Sequence, residues 1–306
     1  MSKDPAGAAA ARGDKIGVGI ASILVAVFFF SIADAIAKWL GQDYEAAQIV
    51  FLRYLFGLIP VAVIVWLGGG GIAALRTRRP LAQGLRALLI FCALLSFFTG
   101  LRSLPLAEAI AMAFTAPLWV TALSVPVLRE TVGPRRWAAV IVGFVGALII
   151  IRPGTEAFRY EALYILVSAL CFALAMLLTR RIAPTETNVA ILAYTTLGAA
   201  LASAPIMPFV WQAPAAEDLL LFLLIGLVGS TAAYFIIVAY RNAPAAVIAP
   251  FDYTALIWGS ILGWVIWREQ PDPLVWAGAI VIALAGIYIT RREAAAGRAA
   301  AKPPTR

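Results

Sequence analysis

Histidine is absent from all 306 residues, and cysteine occurs only as Cys92 and Cys171, each inside an apolar run. The first absence removes the commonest proton shuttle and metal ligand, so any proton coupling falls to carboxylates. The second leaves no material for a disulfide framework or a thiolate metal site. Charge is scarce as well: Asp, Glu, Lys and Arg make up 13% of the chain, where a soluble domain carries about a quarter. There is no Walker-type phosphate loop, so the chain does not hydrolyse ATP by itself. An integral-membrane enzyme is the alternative of a different class, and it finds no nucleophile, base or metal set gathered at one membrane face. No cofactor, metal or catalytic residue is expected. The formal charge of +8 does not call for a nucleic acid, because basic residues in an apolar chain collect on the cytoplasmic side of a bilayer.

What the chain has is apolar length. It is 63% hydrophobic with a mean hydropathy of +0.92, the composition of a polytopic membrane protein. A helix needs about 20 apolar residues to cross the hydrocarbon core. Ten such runs occur, at 16–40, 47–67, 85–101, 106–127, 134–151, 161–180, 190–210, 217–240, 244–267 and 273–290. Turn-forming residues separate them, among them the glycines 68–71, Pro80, Gly133-Pro134, Arg152-Pro153-Gly154, Pro184, Pro214 and Pro271-Asp272-Pro273. The first run is too long for the apolar core of a cleavable signal peptide.

The sequence also repeats itself. Residues 102–152, slid forward without a gap, place Arg102 on Arg241, Pro105 on Pro244, Trp119 on Trp258, Arg129-Glu130 on Arg268-Glu269, Pro134 on Pro273 and Trp137 on Trp276. Matches of this kind among Trp, Pro, Arg and Glu point to a duplication. Five spans per copy is an odd number, so the second copy must be upside down relative to the first. Charge agrees: Lys3, Arg12, Lys15, Arg76, Arg78, Arg79, Arg129, Arg135, Arg136, Arg180, Arg181, Arg241, Arg291 and Arg292 fall in alternate breaks, which places both termini in the cytoplasm. The expected fold is an all-α integral membrane protein of ten transmembrane helices, arranged as two inverted five-helix repeats around a central cavity. Its parts are a flexible N-terminal tail (1–15), a first repeat (16–151), a second repeat (161–290) and a basic C-terminal tail (291–306), in the cell inner membrane.

Ionisable residues inside spans are candidates for function, because a charge at mid-membrane costs about 2.5–3.5 kcal/mol on insertion scales. They are Asp34 and Lys38 in the first span, Arg53 in the second, Glu108 in the fourth and Asp252 in the ninth. Asp34 and Lys38 stand four apart, so an ion pair along one helix face explains both; Lys38 can also snorkel to the interface. The alternative is that Lys38 and Arg53 line a cavity mouth and receive a carboxylate or phosphate. Glu108, Met112, Thr115 and Trp119 form one helical stripe, which the repeat matches with Val247, Phe251, Thr254 and Trp258. Trp119 and Trp258 sit deep, where they either pack helices or wall a substrate pocket together with Phe251 and Tyr253. Asp252 follows Pro250 and has Ala113 as its match, so it breaks the symmetry. It either pairs with Arg241 or serves, with Asp34 and Glu108, as a coupling carboxylate.

Several motifs resemble the drug/metabolite transporter superfamily, specifically its ten-helix EamA-type permeases. They are Ala37-Lys38-Trp39, Phe51-Leu52-Arg53-Tyr54, Leu104-Pro105-Leu106-Ala107-Glu108-Ala109, Ala116-Pro117-Leu118, Arg129-Glu130 with Trp137, and the weaker copy from Glu269 to Gly286. The resemblance implies alternating access around a central cavity and a small-molecule substrate. Amino-acid exporters of that family carry Trp-Gly early in the first span, where this chain has Phe28-Phe29-Phe30. The pattern is closer to S-adenosylmethionine and riboflavin permeases. Efflux of a small amphipathic or aromatic metabolite is the first expectation; uptake of a vitamin- or nucleoside-like solute, such as riboflavin or S-adenosylmethionine, is the alternative.

Overall fold

The computed structural model describes residues 5–67, 71–130, 132–155 and 158–300. Parts of both tails (1–4 and 301–306), three glycines of the 68–71 break, and Glu156 lie outside the described residues. The described chain is helical throughout, without a strand: α1 (Pro5–Leu40), α2 (Ala46–Leu67), α3 (Pro80–Leu101), α4 (Leu106–Ala113), α5 (Ala116–Leu128), α6 (Pro134–Ile151), α7 (Glu161–Ile182), α8 (Asn188–Ser203), α9 (Met207–Val210), α10 (Ala216–Asn242), α11 (Ala245–Asp252), α12 (Thr254–Trp267) and α13 (Pro273–Ala300). Helix α1 begins at Pro5 and α13 runs on to Ala300, so helix extends into both segments expected as tails.

Proline fixes several starts. Pro80, Pro134 and Pro273 open α3, α6 and α13, where a missing N–H has no helical partner to lose. At α8 the Thr187 hydroxyl accepts the Ala190 N–H at 3.0 Å, capping the first turn.

Nine segments are long and apolar enough to cross a membrane among the described residues. The run expected at 244–267 is the exception, since it is divided into α11, of 8 residues, and α12, of 14. The run expected at 106–127 is broken in the same way, between α4 and α5. Pro117 accounts for part of that break, because its ring occupies the place of an N–H that Ala113 would accept. The two break residues, Phe114 (φ −66°, ψ 0°) and Tyr253 (φ −68°, ψ −8°), are matched by the sequence repeat. Uninterrupted hydropathy hid both breaks.

The repeat recurs in local geometry. Arg129 and Arg268 take left-handed conformations with φ of 57° and 58°, rare for a side chain larger than glycine. Each is followed by a glutamate whose N–H closes the helix end, Glu130 onto Ser124 O at 3.3 Å and Glu269 onto Gly263 O at 3.1 Å. Helix packing has the same symmetry: α1 against α10 corresponds to α7 against α3, α2 against α10 to α8 against α3, and α2–α8 and α6–α13 each map onto themselves. Bare positions permit the close crossings, since a Cβ on Gly278 would lie 2.6 Å from Gly146 O and one on Gly226 would lie 2.8 Å from Arg53 O.

The core is not symmetric end to end. One continuous cluster fills the end that holds Leu40, Leu101, Leu104, Ile151 and Val275. Toward the other end it gives way to two separate clusters, one of Ile23, Val27, Ala239, Ala243 and Ile248 and one of Leu118, Val140, Ala285 and Ile289. Helix α4 packs on α12 at the first end, while the symmetry-related pair α5 and α11 makes no comparable contact among the described residues. The bundle is therefore sealed at one end and parted at the other.

Candidate substrate site

The sealed end is tied by charge. Lys38, at the end of α1, donates to Leu104 O at 2.6 Å and forms an ion pair with Glu269, which follows α12. The second Glu269 oxygen accepts the Leu106 N–H at 2.9 Å, so one carboxylate joins the ends of three segments. The Lys38 ammonium also lies 5.1 Å from the Trp267 ring centre. This corrects the expectation of an Asp34–Lys38 pair. Lys38 points across the bundle, and a bidentate carboxylate closed at that end outcompetes a neighbour on its own helix. Lys38 is thus occupied in closure rather than free to line an open mouth.

Around this latch lie Arg152, paired with Asp272 at 2.8 Å, and Arg102, paired with Glu45 at 3.1 Å. The Leu274 N–H and the Arg152 guanidinium hold the Asp272 carboxyl below the usual carboxylate range. Glu108 is half-buried beneath this group, within electrostatic reach of Arg159, Arg152, Asp272 and Glu269. It therefore belongs with the sealed end.

At mid-depth the matched breaks meet, and Phe114 stacks on Tyr253 with ring centres 4.5 Å apart. The contact lies where the two halves face one another. Trp119 leans edge-on against Phe144 of α6, and Trp258 leans edge-on against Phe28 of α1, each at 4.7 Å. The two tryptophans therefore stand on different walls, attached to the two separate clusters. Met112 and Thr115 are fully buried, and the Thr115 hydroxyl bonds back to Met112 O at 2.8 Å. They support the break rather than face open space.

Asp252 is half-buried on α11 and makes no ion pair among the described residues, so the pairing with Arg241 does not occur. Phe251 beside it packs toward the cluster around Ile248. Asp34 is half-buried and likewise without an ion pair, with the Arg53 charge acting on it. Arg53 is 7% exposed, lies 6.0 Å from the Phe30 ring centre and 5.7 Å from that of Phe98, and has an Nη1 without a hydrogen-bond partner. Among the described residues the arrangement offers aromatic faces together with the carboxylates of Asp34 and Asp252 and the guanidinium of Arg53, none of the three in an ion pair. Side chains of these kinds are chemically able to contact both the apolar and the charged parts of a small molecule. Among the described residues no group of three or more potential metal ligands occurs.

Sequence reasoning missed three contributors. Glu269 was legible only as one half of a repeated Arg-Glu pair. Phe114 had no signal until its match to Tyr253 is read as a contact. Gln48, fully buried, bonds both backbone groups of Gln212 at 2.6 and 2.9 Å, and nothing local marks it.

The sequence profile of the EamA-like transporter family matches residues 17–152 and again residues 159–292. The S-adenosylmethionine uptake transporter of Rickettsia prowazekii is 30% identical over 276 residues, covering 90% of this chain and 93% of its own. The riboflavin transporter of Rhizobium johnstonii is 31% identical over 285 residues, covering 90% and 92%. The pseudopaline exporter CntI of Pseudomonas aeruginosa is 27% identical over 283 residues, covering 92% and 98%. A solved crystal structure superposes with a TM-score of 0.62 over 90% of this chain and 97% of its own, at 19% identity, which speaks to the fold.

Proposed function

Since the chain belongs to the EamA-like transporter family and is a multi-pass membrane permease for a small molecule, we propose that it moves a ring-bearing amphipathic metabolite by alternating access, with S-adenosylmethionine as the first substrate to test and riboflavin as the second. One observation carries this reading: the core is continuous at one end and divided at the other, while the helices that bound it repeat with opposite orientation. The chain is then caught in one of its two states. The basic residues at the parted end, among them Arg129, Arg135, Arg181 and Arg241, support a cytoplasmic position for that end. Both termini lie there too, in an inner membrane, and the state is open inward.

In the proposed cycle a solute enters the parted end and lies against Trp119, Phe251, Tyr253 and Trp258. Binding draws α5 and α11 together, and the Lys38–Glu269 latch at the far end opens. Asp252 and Asp34 are the carboxylates proposed to bind a cationic group or carry a proton, and Glu108 to adjust the latch. The Phe28-Phe29-Phe30 run supplies further ring contacts, with Phe28 on Trp258 and Phe29 at 6.4 Å from Phe235. The Pseudomonas relative is named an exporter, which supports outward flux as a second direction. A carrier without its own ATPase runs either way, and the gradient sets net flux.

The test is counterflow. Purified protein in liposomes preloaded with unlabelled solute should accumulate labelled S-adenosylmethionine or riboflavin transiently. Trp119→Ala and Trp258→Ala should each slow it about tenfold or more, the effect of losing a buried aromatic contact. Unchanged rates in both variants would refute the aromatic walls, and counterflow of neither solute would remove the two named substrates.

A further inference from the structure

The Arg53 side chain is the most unusual group in the bundle. It leaves α2 about two turns into that helix and is received by a cradle of aromatic and glycine positions. On α10, a Cβ at Gly226 would lie 2.8 Å from Arg53 O, so that position lets the backbones of α2 and α10 approach closely, and one at Gly229 would lie 2.9 Å from Arg53 Nη2, where the guanidinium rests. Phe30 of α1 and Phe98 of α3 flank it at 6.0 and 5.7 Å. Four helices thus converge on one cation, and none of them gives it a carboxylate. Among the described residues the Arg53 side chain forms no ion pair, and its Nη1 is buried without an acceptor.

Structural arginines in apolar surroundings are paired or fully hydrogen-bonded, because an uncompensated buried guanidinium opposes folding. Asp34 sharpens the anomaly. It stands one turn from Phe30 on the same face of α1, and the Arg53 charge acts on it, yet the two groups do not close into an ion pair. Neither group is spent on the other, so each is left to engage a solute group of the opposite sign.

We infer that Arg53 is the anion-recognising pole of the substrate site, taking a carboxylate of the transported metabolite, and that Asp34 receives its cationic group. This rests on the permease reading above and narrows it to zwitterionic, ring-bearing solutes. It favours S-adenosylmethionine, which has a carboxylate beside cationic groups, over riboflavin, which has none. Arginine suits the task better than lysine because its planar fork matches a carboxylate in two places.

Full-length protein in lipid nanodiscs tests this with S-adenosylmethionine and its decarboxylated analogue, which keeps the ring and the sulfonium. The wild type should bind the carboxylate form about tenfold or more tightly than the analogue, the usual discrimination of a charge-assisted pair. Arg53→Gln should bind the two alike. A second measurement needs no ligand: the empty Arg53→Met variant should melt at or above the wild-type temperature, because a buried unpaired charge is removed. Equal binding of both compounds by the wild type would overturn the inference. So would an Arg53→Met protein that melts several degrees lower, since that identifies a structural arginine. If neither compound binds the wild type, the S-adenosylmethionine reading fails on its own, and the melting comparison alone decides whether Arg53 is an anion site.

Discussion

Neutralising Glu269 should open the sealed end. In the closed state this carboxylate pairs with Lys38 and accepts the Leu106 N–H at 2.9 Å, and the two side chains are 8% and 20% exposed. Glu269→Gln keeps the shape and one hydrogen-bond acceptor but leaves the ammonium with Leu104 O as its remaining partner. Breaking a buried pair from one side costs about 3–5 kcal/mol. Residual exposure and the retained Leu104 and Trp267 contacts lower this to about 2 kcal/mol here. In the opened state both groups meet water, so the change falls almost wholly on the closed state. At about 1.4 kcal/mol per tenfold, the ratio of closed to open should shift about 30-fold. Spin labels at Ser103→Cys and Gln270→Cys, in a background lacking Cys92 and Cys171, would span the seal from exposed positions on either side. Pulsed electron resonance should find one short distance in the parent and an added longer population in Glu269→Gln. Lys38→Met should produce the same population, and the double variant should fall short of the sum of the two. Identical distance distributions with and without the charge would refute the latch.

Asp252→Asn should leave counterflow intact while abolishing accumulation driven by a proton gradient, and equal loss of both would show that the carboxylate binds solute instead. At the parted end, burial raises the Glu186 carboxyl, but donors from Thr77, the Arg78 N–H, Gln83 and the Arg79 N–H outweigh it and hold it below its ordinary value of 4.5. A depressed carboxylate stabilises the fold above its unfolded value and loses that contribution as pH falls through the folded one. Below about pH 4.5 the wild type should therefore lose melting temperature more steeply than Glu186→Gln, and parallel curves would remove the claim. A Cβ on Gly286 would lie 2.0 Å from the Tyr253 hydroxyl but 3.3 Å from its Cζ. Gly286→Ala should accordingly slow transport and lower the melting temperature, and Tyr253→Phe should restore much of both; a double variant no better than the single would show that another contact is at fault.

The arrangement of spans was open to reading because apolar length and the Trp, Pro, Arg and Glu matches are written locally. The left-handed arginines are a case in point: Arg129 and Arg268 were paired by sequence, and both close helices in the same conformation. Lys38 shows the limit. A helix-face rule joined it to Asp34, but its partner lies 231 residues away, brought close only by packing between the halves. The breaks at Phe114 and Tyr253 were invisible for a different reason, since hydropathy reports what a segment dissolves in and not whether its hydrogen bonds run unbroken. Arg53 is marked by the cost of its charge, while nothing local marks Gly229 as the position its guanidinium rests against.

The matched caps at Glu130 and Glu269 have a consequence for how such a chain can evolve. Exchange the conformations of the two halves and the same molecule presents its opposite face, with the earlier glutamate now placed to fasten the far mouth. The resting preference between the two faces then equals the difference between two fasteners that began as copies. A single substitution in either copy, far from any solute, would tilt that preference and change the concentration at which the carrier works, without altering what it recognises.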